Sequence, residues 1–235
     1  MSIARWAADR PLSNHEQIVR TLGLEILTGV HAPAANLPPE PVLLSRFGIS
    51  RTALREVLKT LSAKGLLISK TRVGTKVQDP LHWNYFDADV LAWLVSQGLD
   101  ETLRKHLLEV RTALEPQAAA LAAKRRTADD LGELRRCITA MADPHHDQHS
   151  FAQADLDFHV AVGSASGNPM MRSFAAVIEV ALLASFSLTS PVDRPDLHTE
   201  VVAAHAAIVD AIEAGDAAAA AAAMRAVIQS GFDRV

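Results

Sequence analysis

The sequence predicts a mostly α-helical fold in two parts, a small helix-turn-helix with a hairpin followed by a larger all-helical bundle. Three observations carry that prediction. Two short helical stretches meet at a single glycine, Gly48. The segment LLISKTRVGTKVQ that follows them alternates apolar and polar residues around Gly74, as two short strands of a hairpin do. From about residue 88 onward glycines are few, Ala and Leu are abundant, and no strand-like alternation of any length occurs. The expected boundaries are therefore residues 1–79 for a winged helix-turn-helix, 80–87 for a linker, and 88–235 for an all-helical domain.

The elements follow in order. Ile18, Leu22, Leu24, Ile26 and Leu27 give an amphipathic helix from Asn14, a candidate N-cap, to about Thr28, closed by Gly29. After the proline-rich loop HAPAANLPP, a short helix spans Glu40 to Phe47, and Ser50 caps another that runs to about Lys64 before Gly65. Further helices are expected from Asp87 to Ser96, Glu101 to Lys124, Ala128 to Ala142, His149 to Ser166, Met170 to Thr189, Leu197 to Ala214 and Ala217 to Phe232. The seven alanines from Ala217 to Ala223 read as closely packed helix capped by Asp216, because Ala is the strongest helix former.

Composition narrows the class. Apolar residues make up 49% of the 235 and charged residues 21%, and no uncharged apolar run approaches the roughly 20 residues that a membrane span needs. The first residues carry charges without a secretory apolar run, and Cys137 is the single cysteine, so the expected compartment is the cytoplasm. Residues 1–80 hold 11 Lys and Arg against 6 Asp and Glu, whereas residues 81–235 hold 12 against 21. A basic segment beside an acidic one suits the first to a polyanion.

In the helix opened by Ser50, an apolar face of Ala53, Leu54, Val57, Leu58 and Leu61 leaves Arg51, Thr52, Arg55 and Lys59 opposite. Cations at i, i+4 and i+8 form one stripe. Arg can donate two hydrogen bonds to guanine in the major groove while Lys and Thr hold phosphates, although a solvated charged face reads the same way. The stretch LPPEPVLLSRFGISRTALREVLKTLSAKGLLISKTRVGTKV resembles the winged helix-turn-helix of the GntR family of bacterial regulators, over nearly all of residues 13–78. The resemblance implies a double-stranded DNA operator as partner, contacted by Arg46, Ser50, Arg51, Thr52, Arg55 and Lys59, and by Arg72, Gly74, Thr75 and Lys76 of the wing. Two departures are visible: Ala35 stands where members often have Gly, and Pro41 where some carry a DNA-contacting Arg.

In the second part, Asp155 and His159 are four residues apart, so both face one way on a helix and can share a metal ion or a hydrogen bond. The stretches EVRTALEPQAAALAA, ADLDFHVAVGSASGNPMM and HAAIVDAIEAGDAAAAAAAMRA are similar to the C-terminal domain of the FadR subfamily of GntR regulators, and WNYFDADVLAW resembles members that respond to sugar acids. The resemblance implies His205 as a third metal ligand beside Asp155 and His159, for a divalent ion of Zn or Ni type, with Val227 where the usual fourth ligand stands. Two readings follow. Either the metal is lost and the three residues bind an effector directly, or a three-ligand metal keeps open positions for a hydroxy acid, the reading favoured here. The resemblance also places Arg111 in the cavity as a carboxylate grip, its alternative partner being Glu115 one turn on, and Arg234 is a second candidate that closes the cavity from the last helix. Asn168 is expected at a helix end, and His145, His146 and His149 in a solvated loop.

Together these readings predict a homodimeric transcription regulator, in the repressor sense, whose operator binding a small carboxylate such as a sugar acid controls, with neither an enzymatic activity nor a membrane partner. The alternatives are a fatty-acyl or dicarboxylate effector, or a metal-dependent enzyme fused to the DNA-binding module.

Overall fold

The computed structural model describes residues 11–70, 74–98, 100–174, 177, 178, 182, 191, 192 and 194–234. Its contacts divide it into two compact units, residues 1–98 and 99–235. The first unit begins with α1 (Asn14–Leu27), α2 (Glu40–Phe47) and α3 (Arg51–Ala63). The N-cap of α1 is Ser13 rather than Asn14: Ser13 Oγ accepts the Glu16 N–H while the Glu16 carboxylate accepts the Ser13 N–H, a reciprocal capping box. Gly48 ends α2 in the left-handed conformation, and Ser50 Oγ accepts the Ala53 N–H to open α3. The buried faces of the three helices, with Leu22, Ile26, Leu43, Leu54 and Leu61 at their centre, form one apolar core.

Strands β1 (Leu67–Lys70) and β2 (Gly74–Val77) pair antiparallel, Leu67 opposite Val77 and Lys70 opposite Gly74. The proline-rich loop adds an edge to this hairpin, because the Leu37 N–H donates to Thr75 O and the Ala34 N–H to Val77 O. The wing is thus backed by residues the sequence marks only as loop.

The contact division falls at Gly98, so residues 80–98, expected as a linker and the opening helix of the second domain, pack with the first unit. Three contacts explain it. A Cβ on Gly65, whose φ is +77°, would lie 2.3 Å from the His82 carbonyl oxygen. Lys64, buried at the end of α3, places its ammonium 2.8 Å from Asp87 Oδ1 and 2.6 Å from Asp89 Oδ2 at the start of α4 (Ala88–Ser96). Trp93 of α4 lies against α1 so closely that a Cβ on Gly23 would sit 2.3 Å from its ring, and Val90 and Trp93 are part of the first core.

The second unit is built around α5 (Glu101–Arg125), with α6 (Ala128–Met141), α7 (Gln148–Ala165), the single turn α8 (Pro169–Arg172), α9 (Pro195–Ala214) and α10 (Ala217–Asp233). Most of the helix expected from Met170 to Thr189 lies outside the described residues. The alanine run forms the first turns of α10 as expected, with Asp216 accepting the Ala218 and Ala219 N–H groups. Ala220 and Met224 of α10 and Ala118, Ala119 and Ala122 of α5 are buried in the same core, so small side chains let these two helices approach closely. Asn168 caps α8 as expected. His146 is half-buried instead of fully solvated: its ring nitrogens lie 2.8 Å from Ala140 O and 2.9 Å from Ser150 Oγ, and it meets Phe151 edge-on.

Candidate functional site

Helix α7 carries Asp155 and His159, and α9 brings His205 to them, all three almost wholly buried. Phe158, also buried, meets both imidazoles edge-on with centroids 5.6 Å and 5.1 Å away, and so fixes their ring planes. Because a carbonyl only accepts, the contact of His205 Nδ1 with Val201 O at 2.7 Å places the proton on Nδ1. Nε2 then lies 2.9 Å from Asp155 Oδ1, a distance at which a bare nitrogen and an ionised carboxylate repel, so the contact calls for a cation between them, a proton or a metal ion.

His159 is oriented from its other side. Its Nδ1 lies 2.6 Å from Glu115 Oε2, and its Nε2 is 3.9 Å from Asp155 Oδ2. The Glu115 oxygen sits off the line of the ring N–H, so this is a close polar contact without in-line hydrogen-bond geometry. Glu115 in turn pairs with Arg111, Nε to Oε1 at 2.5 Å. Burial pushes the Glu115 carboxyl up, but Arg111 and His159 outweigh it and hold it at about 2. Burial likewise raises Asp155, and His205 with His159 and Arg111 brings it below its ordinary value.

The donor set and its spacing fit a metal ion. One ligand atom each from Asp155, His159 and His205 lies within 4.8 Å of the others, and tetrahedral Zn ligands stand about 3.3 Å apart. Asp155 Oδ1, His159 Nε2 and His205 Nε2 are buried without an in-line hydrogen bond, which a shared cation relieves. Val227, expected from the resemblance at the fourth ligand position, is partly buried against the core and has no side-chain donor atom for a metal.

Arg111 and Arg234 are placed differently. Arg111 is buried with Nε and Nη2 on Glu115, the alternative partner the sequence left open. Arg234, at the end of α10, is half-buried, bonds Ser230 Oγ at 3.0 Å, and feels the Asp155 carboxylate. Burial lowers its pKa, with Asp155 and Glu200 opposing. Glu115 was absent from the sequence-derived site; its only signal is the i, i+4 spacing from Arg111.

In the first unit, Arg51, Thr52, Arg55 and Lys59 lie on the exposed face of α3. Arg51 pairs with Glu40 at 3.3 Å and Lys59 with Glu56 at 2.8 Å, both at the surface. The fold gives Arg46 and Ser50 partners of their own, Arg46 forking onto Glu25 over the Phe47 ring and Ser50 capping α3. Gly74 is exposed with φ +97°, and Thr75 and Lys76 are half-buried on β2. Arg72 lies outside the described residues.

The profile of the bacterial regulatory proteins, gntR family, matches residues 14–77, and that of the FCD domain residues 106–230. The galactonate operon transcriptional repressor of Escherichia coli K12 is 34% identical over 88% of this chain and 91% of its own length. This chain belongs to the GntR family of bacterial transcription regulators. The HTH-type transcriptional regulator YieP of the same organism is 35% identical over 98% of both chains. The solved structure of Lar from Listeria monocytogenes shares the fold, with a TM-score of 0.66 at 18% identity over 96% of this chain and 98% of its own. These relatives make the regulator a DNA-binding protein and not an enzyme. Among its described residues, no helix is long and apolar enough to cross a membrane.

Proposed function

We propose that the regulator is a cytoplasmic homodimeric repressor whose operator binding is relieved by a sugar acid taken up beside a divalent metal ion of Zn or Ni type. The observation that carries this reading is the buried set of Asp155, His159 and His205, whose ligand atoms lack in-line partners. Three protein ligands leave coordination positions to which a hydroxy acid brings its carboxylate and hydroxyl oxygens. Arg234 is the cation placed to meet that carboxylate, because Arg111 is already neutralised by Glu115. The relative named for a galactonate operon supports a sugar acid over a fatty-acyl or dicarboxylate effector.

On the DNA side, Arg51, Thr52, Arg55 and Lys59 of α3 enter the major groove, and Gly74, Thr75 and Lys76 of the wing, with Arg72, meet the backbone or minor groove. The test is a titration of a labelled operator with the purified regulator, with and without galactonate and with and without a chelator. Operator affinity is expected to fall on adding galactonate and to be restored by the chelator. Unaltered affinity at saturating galactonate and at saturating levels of other sugar acids removes the reading.

A further inference from the structure

Arg111 and Glu115 lie on one face of α5, both buried, and form a chain that ends on His159. A buried carboxylate beside an imidazole has a defined effect. It accepts from the ring N–H nearest to it and so decides which nitrogen is left bare. Here the near nitrogen is Nδ1, 2.6 Å from the carboxylate although off the hydrogen-bond line, so the proton is best held there and Nε2 is left to face Asp155 and the ring of His205. His205 is oriented by a different device, donating Nδ1–H to the Val201 carbonyl of its own helix, which turns Nε2 to Asp155.

For His159 the preceding-turn carbonyl is not used in this way; the work falls to Glu115, on a different helix. A buried carboxylate in that position needs a partner of opposite charge, and Arg111 supplies it at 2.5 Å. We infer that Glu115, paired with Arg111, is a positioning residue that sets the tautomer of His159 so that Nε2 can ligate a metal ion. Arg111 thereby acts on the site through Glu115 and not as a grip on the effector. The inference rests on the metal reading proposed above.

Two measurements on the full-length regulator test it. In the first, the imidazole 15N shifts of His159 are read by NMR in the metal-free protein and after loading with Zn2+. The expected result is a protonated Nδ1 in both states, with Nε2 bare in the first and ligated in the second; a proton on Nε2 in the metal-free protein overturns the inference. In the second, Zn2+ affinity is measured by competition titration for the wild type, Glu115→Gln and the double variant Arg111→Met/Glu115→Leu, which leaves no unpaired buried charge. The double variant is expected to bind Zn2+ about 10- to 100-fold more weakly, with Glu115→Gln in between because its carbonyl still accepts. A folded double variant that binds Zn2+ within about twofold of the wild type overturns the inference. A wild type that takes up neither Zn2+ nor Ni2+ instead defeats the metal reading, and the metal-free NMR spectrum then still decides whether Glu115 sets the tautomer.

Discussion

At Glu25 the nearest cation is the guanidinium of Arg46, and the hydrogen bonds between them hold the carboxyl below its ordinary value against the opposing effect of burial, with His31 3.1 Å away adding to the shift. A carboxyl lowered in the folded state stabilises above its unfolded pKa, and that contribution is lost as pH falls through the lower folded value. Glu25→Gln is therefore expected to cost about 1 kcal/mol at neutral pH, since the Arg46 side of the pair is open to solvent, and to cost nothing once the carboxyl is protonated in both the folded and unfolded states. Urea unfolding of both proteins from pH 7 down to pH 3 checks this, and a difference that grows on acidification contradicts it. Arg55 has the opposite character, exposed on α3 and, among the described residues, without an ion pair. Arg55→Ala is expected to lower operator affinity by about 1–3 kcal/mol, or 5- to 150-fold, without moving the thermal midpoint. Fluorescence anisotropy with a labelled operator, alongside a melting curve, separates the two effects.

Helix α4 shows how far an element's neighbours can outweigh its place in the chain. Its sequence reads as the opening of the helical half, yet Lys64, Gly65 and Gly23 tie it to the reading head. Gly23→Ala is expected to destabilise the first unit by about 1–3 kcal/mol, because the new methyl overlaps the Trp93 ring and either the side chain or the helix has to move. Chemical denaturation followed by tryptophan fluorescence reports it; an unchanged midpoint means that α4 does not pack on α1. The helix limits themselves were largely readable, since Ser50, Gly48 and Asp216 are caps whose effect is local. The cap at Ser13 in place of Asn14 is equally local, carried by the capping-box spacing of Ser13 and Glu16, whereas the half-buried place of His146 was not readable, because it depends on Ala140 in the preceding helix.

At the scale of the whole molecule two cores, one in each unit, share no members among the described residues, and the candidate metal site belongs wholly to the second. Zn2+ is therefore expected to raise the unfolding transition of the second unit while leaving that of the first in place, by about 2.7 kcal/mol at a free concentration of 100 Kd. Differential scanning calorimetry with Zn2+ and with chelator tests it, and a uniform shift of both transitions counts against an isolated site. The sequence by itself determined the two-part architecture, the helix-turn-helix with its hairpin, the all-helical second half, and the pairing of Asp155 with His159, because periodicity, caps and i, i+4 spacing are local properties of a chain. Only the tertiary structure decided that α4 belongs to the first unit, that His205 closes on Asp155 from another helix, and that Glu115 faces His159. Each of those depends on which surfaces meet across tens of residues, and burial is what turns such meetings into charge pairing and proton placement.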